Sequence, residues 1–227
     1  MDRRISYKIV LDCETAPCDR AIEEVEAKNM LAYDLGWVVT DKRGIVYEKR
    51  SFVVSDIFLN EKELMQSAYY ASKIPEYLED IKKGKRIVKS LYEIRQTLLQ
   101  DLKDYEIIQI FAHNMRFDYG ALNNTIRWVT KSKYRYFFPY GCKICDTLKL
   151  AQQLIGTMPT YKRFCQENGY LTKLGKPRLT AEIIYRFMSG NNEFIEEHKG
   201  LDDCMIEKEI LAYCYRKHKK MNPVLWE

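Results

Sequence analysis

Acidic residues occur in this chain where apolar runs end. Asp12 and Glu14 follow the apolar run that ends at Leu11, and the two-residue step puts both side chains on one face of a strand. Asp118 follows a later apolar run, residues 107–112, at the start of a predicted helix. Carboxylates crowded at a strand end repel each other, and a cation would relieve that repulsion. Asp12 and Glu14 by themselves are also typical of a strand end that faces water. Asp118 by itself is also typical of an acid at the start of a helix, where it compensates the helix dipole.

A third acidic segment precedes the last predicted helix, residues 201–217. At about 100° per residue, Asp203 lies about 20° from the direction of Ile210 on the apolar stripe, and Asp202 lies about 80° away. Asp203 therefore begins the buried face, where a carboxylate is costly unless it is paired or binds metal. Asp202 suits an N-capping position. His198 lies in the loop that enters the helix and can reach the same site.

The combination of residue types indicates metal-dependent hydrolysis. Carboxylate oxygens are the ligands that Mg²⁺ and Mn²⁺ prefer, and shared carboxylates can hold two ions about 3.5–4 Å apart. Such a pair stabilises the attacking and leaving oxygens when a phosphodiester is cleaved. A histidine, with an unperturbed pKa of about 6.5, can act as the base that deprotonates the attacking water.

These residues require a sheet that gathers them at one edge. Apolar runs at residues 6–11, 35–40 and 45–54 predict three strands in an antiparallel meander, with a hairpin turn at 41–44. Residues 23–28 are interpreted as helix or loop.

The rest of the chain alternates between helices and strands. Residues 59–105 have helical spacing and many charges, 107–112 predict a buried strand, and a short strand precedes Asp146. Predicted helices cover a segment from near Phe117 to Val129, then 147–155, 161–168, 180–188 and 201–217. The prediction is a single α/β domain, residues 1–227, in which helices flank a mixed sheet and 59–105 is a helical embellishment.

Three segments together resemble the exonuclease motifs of the DEDDh family. They are Asp12-Cys13-Glu14-Thr15, His113-Asn114-Met115-Arg116-Phe117-Asp118, and His198-Lys199-Gly200-Leu201-Asp202-Asp203. The family includes the proofreading subunit of bacterial DNA polymerase III, ribonuclease T and oligoribonuclease. The resemblance covers residues 9–212, nearly the whole chain.

The resemblance implies a ribonuclease-H-like fold and 3′-to-5′ removal of nucleoside monophosphates by a two-metal mechanism. The implied ligands of two Mg²⁺ or Mn²⁺ ions are the four motif acids, Asp12, Glu14, Asp118 and Asp203, and the implied general base is His198. Thr15, Asn114 and Phe117 are expected to bind substrate. The expected substrates are single-stranded 3′ ends, with DNA favoured over RNA, and a polymerase or replication protein is a possible partner.

Some residues depart from the family pattern. Many proofreading members carry a glycine after the first motif, where this chain has Ala16 and Pro17, which bears on the substrate rather than on the chemistry. Asp146 resembles a structural Asp-Thr of the family, and His113 is expected to be a structural hydrogen-bonding residue.

Two functions of other classes remain open. The chain could be a catalytically silent nuclease-fold module that binds nucleic acid or a partner protein, although the presence of all four acids and His198 favours an enzyme. It could also be a zinc-stabilised interaction domain built on Cys142 and Cys145, which would need two further ligands. Residues 131–138 interleave basic and aromatic side chains, which suits either contacts to a nucleic-acid strand or a solvated strand.

Composition is that of a soluble globular protein. The chain has 227 residues, of which 46% are apolar and 30% charged, and no apolar run reaches the roughly 18 residues of a membrane span. A formal net charge of +5 indicates a polyanionic partner only weakly. Seven scattered cysteines and no signal-peptide pattern predict reduced thiols and a cytoplasmic location.

Overall fold

The computed structural model describes residues 4–18, 29–217 and 220–226. The predicted helix or loop at 23–28 lies outside these ranges. Within them, no helix is long and apolar enough to cross a bilayer.

One mixed sheet forms the centre of the described structure, with its strands in the order β4-β3-β2-β1-β5-β6. The first three strands are antiparallel neighbours, whereas β4 pairs in parallel with β3, β5 with β1, and β6 with β5. This topology confirms the predicted mixed sheet with an antiparallel meander. The strands are β1 Lys8–Cys18, β2 Asn29–Thr40, β3 Val46–Val54, β4 Ile87–Lys89, β5 Gln109–Ala112 and β6 Lys143–Asp146.

Helices cover both faces of the sheet. Successive strand residues point to opposite faces, so Leu11 packs in one hydrophobic cluster with α4 and α5, and Val10 packs in the other with α6 to α9. Short 3₁₀ helices cover Ala71–Lys73 and Ile155–Thr157. The α-helices are α1 Ser55–Phe58, α2 Lys62–Gln66, α3 Ile74–Lys82, α4 Leu91–Asp104, α5 Met115–Thr130, α6 Thr147–Gln153, α7 Pro159–Glu167, α8 Ala181–Ser189 and α9 Gly200–Lys217.

The structure corrects several predicted boundaries. Strand β1 continues beyond Leu11 to Cys18, because its polar part still pairs with β2, with a register shift between Glu14 and Thr15. The predicted helical segment 59–105 contains strand β4, which at three residues is too short to show an alternating pattern. Residues 131–138 form a loop, not a strand.

Two glycines let α9 lie directly on the sheet. A Cβ atom on Gly200 would lie 2.7 Å from the carbonyl oxygen of Asp12 and 2.8 Å from the nitrogen of Gly36, closer than real Cβ contacts. A Cβ on Gly36 would lie 2.2 Å from the nitrogen of Leu201. Any side chain at either position would push the helix away. This contact brings the first turn of α9, with Asp203, beside Asp12.

Candidate active site

An acidic cavity of about 400 Å³ lies where β1, α5 and α9 meet. All five residues predicted to carry the chemistry line it: Asp12, Glu14, Asp118, His198 and Asp203. Two come from β1, one from the first turn of α5, one from the loop before α9 and one from the first turn of α9. The structure therefore brings together side chains that are up to 191 positions apart in the sequence.

Asp118 is held against β1 by hydrogen bonds to Cys13. Its Oδ1 accepts the backbone N–H of Cys13 at 3.1 Å and the thiol of Cys13 at 3.3 Å. Burial raises the pKa of Asp118 to about 7, although these hydrogen bonds oppose the shift. Because Cys13 lies between Asp12 and Glu14, the same bonds hold Asp118 against the part of β1 that carries the other two carboxylates.

Asp203 faces into the cavity, as its helical phase predicted. Its side chain is buried, whereas Asp202 is exposed. The expectation that Asp202 is the N-cap is wrong, because the helix already begins at Gly200 and Asp202 lies inside the first turn. Burial, with the nearby charge of Glu196, raises the pKa of Asp203 to about 8.

The cavity has the donor set of a divalent cation site. Oδ1 of Asp203 is buried and accepts no hydrogen bond from the described residues, a costly state that a cation or a proton would relieve. Ligand atoms of Glu14, His198 and Asp203 lie within 4.8 Å of one another. Burial and the charges of Asp118 and neighbouring acids raise the pKa of Asp12 well above its ordinary value. Clustered hard oxygen donors of this kind fit Mg²⁺ or Mn²⁺.

His198 lies in the loop before α9, where its surroundings favour the neutral form of the imidazole ring. Its backbone has a left-handed φ of 48°, and its ring stacks on Tyr70 with centroids 4.3 Å apart and planes inclined by 18°. Partial burial and the positive charge of Lys73 lower the pKa of His198. A neutral imidazole beside the acids can accept a proton.

The segment between β3 and α4 holds the His198 loop. Lys73 donates to the carbonyl of Glu197, and Lys199 forms an ion pair with Glu76, so both neighbours of His198 are tied to this segment. No motif in the sequence indicates Tyr70, because no characteristic spacing links it to His198, 128 positions later.

Two further carboxylates were also missed. Glu207 lies one helical turn after Asp203, is 3% exposed, and accepts the backbone N–H of His113 at 3.0 Å. The four-residue step from Asp203 along the buried face could have identified it. Burial raises the pKa of Glu196, in the loop before α9, to about 7. No sequence pattern marks Glu196.

His113 and Asp146 make the hydrogen bonds expected of structural residues. Nε2 of His113 donates to the carbonyl of Leu179 at 2.6 Å, and Nδ1 lies 3.0 Å from Oγ1 of Thr147. Asp146 caps α6 by accepting the N–H of Leu148 at 2.7 Å.

The three residues expected to bind substrate do not all reach the acidic cavity. Thr15 and Phe117 line it, and Phe117 is 43% exposed. Asn114 precedes α5 in a left-handed conformation with φ of 67° and lines a different cavity. Tyr69, which is 85% exposed, adds an aromatic ring to the rim of the acidic cavity.

The cysteines provide no visible zinc site. No disulfide joins any of the seven cysteines, and among the described residues no candidate metal cluster contains Cys142 or Cys145.

Comparison with solved structures identifies the fold. Cell-death related nuclease 4 (CRN-4) superposes with a TM-score of 0.50 at 10% identity, over 94% of this chain and 64% of that one. The chain has an RNase H-like fold. It spans slightly less than two thirds of CRN-4.

Two other similar structures have TM-scores below 0.5. S. pombe Pop2p in its Mg²⁺- and Mn²⁺-bound form has a TM-score of 0.49 at 11% identity, over 95% of this chain and 85% of Pop2p. Exonuclease X in complex with 5′ overhanging duplex DNA has a TM-score of 0.38 at 13% identity, over 94% of both chains. No protein-family model and no curated protein matches the chain.

Proposed function

We propose that this protein is a metal-dependent 3′-to-5′ exonuclease that acts on single-stranded nucleic-acid ends and releases nucleoside monophosphates. The observation that carries the proposal is the meeting of Asp12, Glu14, Asp118 and Asp203 with His198 in one cavity. CRN-4, whose fold this chain shares, is itself a nuclease.

The four carboxylates would hold the metal ions, and His198 would move the proton. Bound Mg²⁺ or Mn²⁺ would neutralise the carboxylates and stabilise the attacking and leaving oxygens of an in-line displacement. His198 takes a proton from the attacking water as the new P–O bond forms. The bond from phosphorus to the 3′ oxygen of the penultimate nucleotide breaks, and that oxygen receives a proton. The products are a nucleoside 5′-monophosphate and a strand one nucleotide shorter.

Exposed aromatic rings at the cavity rim suit the bases of a single strand. The exposed aromatic rings of Tyr69 and Phe117 can stack on any of the bases. A single strand has unpaired bases for this stacking, whereas the end of a duplex would first have to unpair. DNA is favoured over RNA in this proposal.

Digestion of matched, 5′-labelled DNA and RNA oligonucleotides tests the proposal. With Mg²⁺ or Mn²⁺, labelled products should shorten one nucleotide at a time, and excess chelator should stop the reaction. A circular single strand, which has no 3′ end, should stay intact. Binding without any cleavage would instead identify a catalytically silent module, and cleavage of the circle would identify an endonuclease.

A further inference from the structure

A second cavity, of about 840 Å³, opens beside the acidic one. We call it the basic groove. Its lining offers positive charges and hydrogen-bonding groups from α6, α7, the 170–178 hairpin and the start of α5. The polar residues that matter here are Asn114, Gln152, Lys162, Lys176, Arg178 and Thr180.

Residues that are adjacent in sequence or hydrogen-bonded line the basic groove on one side and the acidic cavity on the other. His113 lines the acidic cavity and donates from Nε2 to the carbonyl of Leu179, which lines the groove. Asn114, the next residue after His113, also lines the groove, and Thr180 lines the groove while Ala181 lines the acidic cavity. A strand whose end lies in the acidic cavity therefore meets the groove on crossing these residues.

The charge of the groove is opposite to that of the acidic cavity. Lys162, Lys176 and Arg178 are exposed, and none of the described lining residues is acidic. A surface of this kind attracts phosphates, whereas the carboxylates next to it repel them unless metal is bound. Gln152 and Thr180 add uncharged groups of the type that contact phosphate and sugar oxygens.

The basic side chains of the groove belong to a hydrogen-bonded hairpin and to helix α7. Across the hairpin, the N–H of Arg178 donates to the carbonyl of Tyr170 at 3.0 Å, and the N–H of Thr172 donates to that of Lys176 at 2.7 Å. Nε of Arg178 donates to the carbonyl of Leu171 at 3.1 Å, which sets the direction of its guanidinium. Lys162 lies on α7.

We propose that the basic groove binds the phosphodiester backbone of the substrate on the 5′ side of the cleaved bond. The proposal rests on the proposed function, because it takes the acidic cavity as the place of the 3′ end. It also assigns Asn114, which the motif resemblance marks as a substrate-binding residue, to the wall between the two cavities. The ligand is a single strand several nucleotides long rather than a free nucleotide.

The test compares the wild type with the variant K162Q/K176Q/R178Q. Binding of fluorescent single-stranded DNA of 2, 6 and 12 nucleotides is measured by anisotropy in chelator, where no cleavage occurs, across a range of salt. We expect affinity for the 12-mer to fall on the order of tenfold, with a smaller loss for shorter strands. The slope of log K against log salt should fall by about 2, since each lost phosphate contact on a single strand contributes about 0.7.

A matched control removes the same charge elsewhere. K82Q/K83Q/K85Q lies just before β4, at the sheet edge opposite β6, and should bind every strand as the wild type does. The singly substituted K176E, checked by circular dichroism, separates a local charge effect from misfolding and should also weaken binding of the 12-mer.

The outcomes separate the groove from the enzymatic proposal. Equal affinities and salt slopes for the wild type and K162Q/K176Q/R178Q would overturn the proposal that the groove binds the strand, even if the wild type degrades DNA. Equally tight, groove-dependent binding of poly-glutamate also overturns it, because the site would then be a general polyanion surface. Groove-dependent binding of DNA, with no cleavage when metal is added, supports the groove and overturns the proposed enzymatic function instead.

Discussion

The acidic cavity collects more negative side chains than the surrounding residues neutralise. Six carboxylates and no lysine or arginine line its described part. Burial is the first cause of the raised pKa values of Glu14 and Asp203, and neighbouring acids add to it in both. Bound protons or bound cations would relieve this repulsion. The raised pKa values favour protonated carboxyl groups in the metal-free site, and a bound cation would displace those protons.

His198→Ala should lower the single-turnover rate of cleavage about 10²–10⁴-fold, which is the usual contribution of a positioned general base. Substrate affinity, measured by anisotropy in chelator, should change little, because His198 is assigned to proton transfer rather than to binding of the strand. Added imidazole should restore part of the rate. A near-normal rate at neutral pH would show that His198 is not the base.

At this scale the sequence predicted five residues that line one cavity, but not all of their neighbours. The phase of α9 separates Asp203 from Asp202 because a helix repeats every 3.6 residues, and burial agrees with it. Glu207 follows the same periodicity, four residues after Asp203, but the surrounding residues of that helix face are apolar and predict only core packing. Glu196 and Tyr70 reach the site only through the path of two loops, which no local pattern encodes.

At the scale of elements, the segment between β3 and α4 supports the His198 loop. Tyr70 stacks on the imidazole, while Lys73 and Glu76 hold the residues on either side of it. The helical embellishment predicted at 59–105 thus contributes to the site, in addition to supplying strand β4 at the sheet edge.

Tyr70→Ala should slow turnover about tenfold and leave the affinity for DNA nearly unchanged, because the imidazole loses the ring that fixes its orientation. Tyr70→Phe keeps the stacking and should restore the rate. Tyr92→Ala removes an exposed tyrosine on α4, away from His198, and is the control. Steady-state kcat and KM distinguish the cases. Equal loss in the Phe and Ala variants would mean that the hydroxyl, not the stacked ring, matters.

The sequence predicted long elements better than short ones. The meander β1–β3 follows from three apolar runs and one turn, whereas the polar half of β1 becomes strand because β2 pairs with it. Strand β4 has three residues, one of them Lys89, and depends on pairing with β3 rather than on its own composition. Partners distant in the sequence decide such elements.

At the scale of the whole molecule, the carboxylates make stability depend on pH and metal. Glu14 and Asp118 have pKa values raised to about 7, and Asp203 to about 8, from unfolded values near 4. The folded state therefore binds more protons than the unfolded state between about pH 4 and pH 8, and stability falls as pH rises through that window.

The melting temperature of the metal-free protein should consequently decrease from pH 5 to pH 8. Mn²⁺ should raise it, and the increase should grow over the same range because protons compete with the ion. Thermal denaturation at several pH values, with chelator or with Mn²⁺, measures both effects. A metal-free protein whose stability rises toward pH 8 would contradict the crowded-carboxylate account.

Substitution of two adjacent aspartates tests most directly the central claim, that the buried carboxylates support metal-dependent cleavage from the 3′ end. Single-turnover degradation of a 5′-labelled single strand with Mn²⁺ is compared for the wild type, Asp203→Asn and Asp202→Asn. We predict that the wild type shortens the strand from its 3′ end and that Asp203→Asn loses at least about 10²-fold in rate, since it removes a buried carboxylate that we propose binds metal. Asp202→Asn, whose side chain is exposed, should cleave nearly as the wild type does. An inactive Asp202→Asn beside an active Asp203→Asn, or a wild type that never cleaves, would contradict the account.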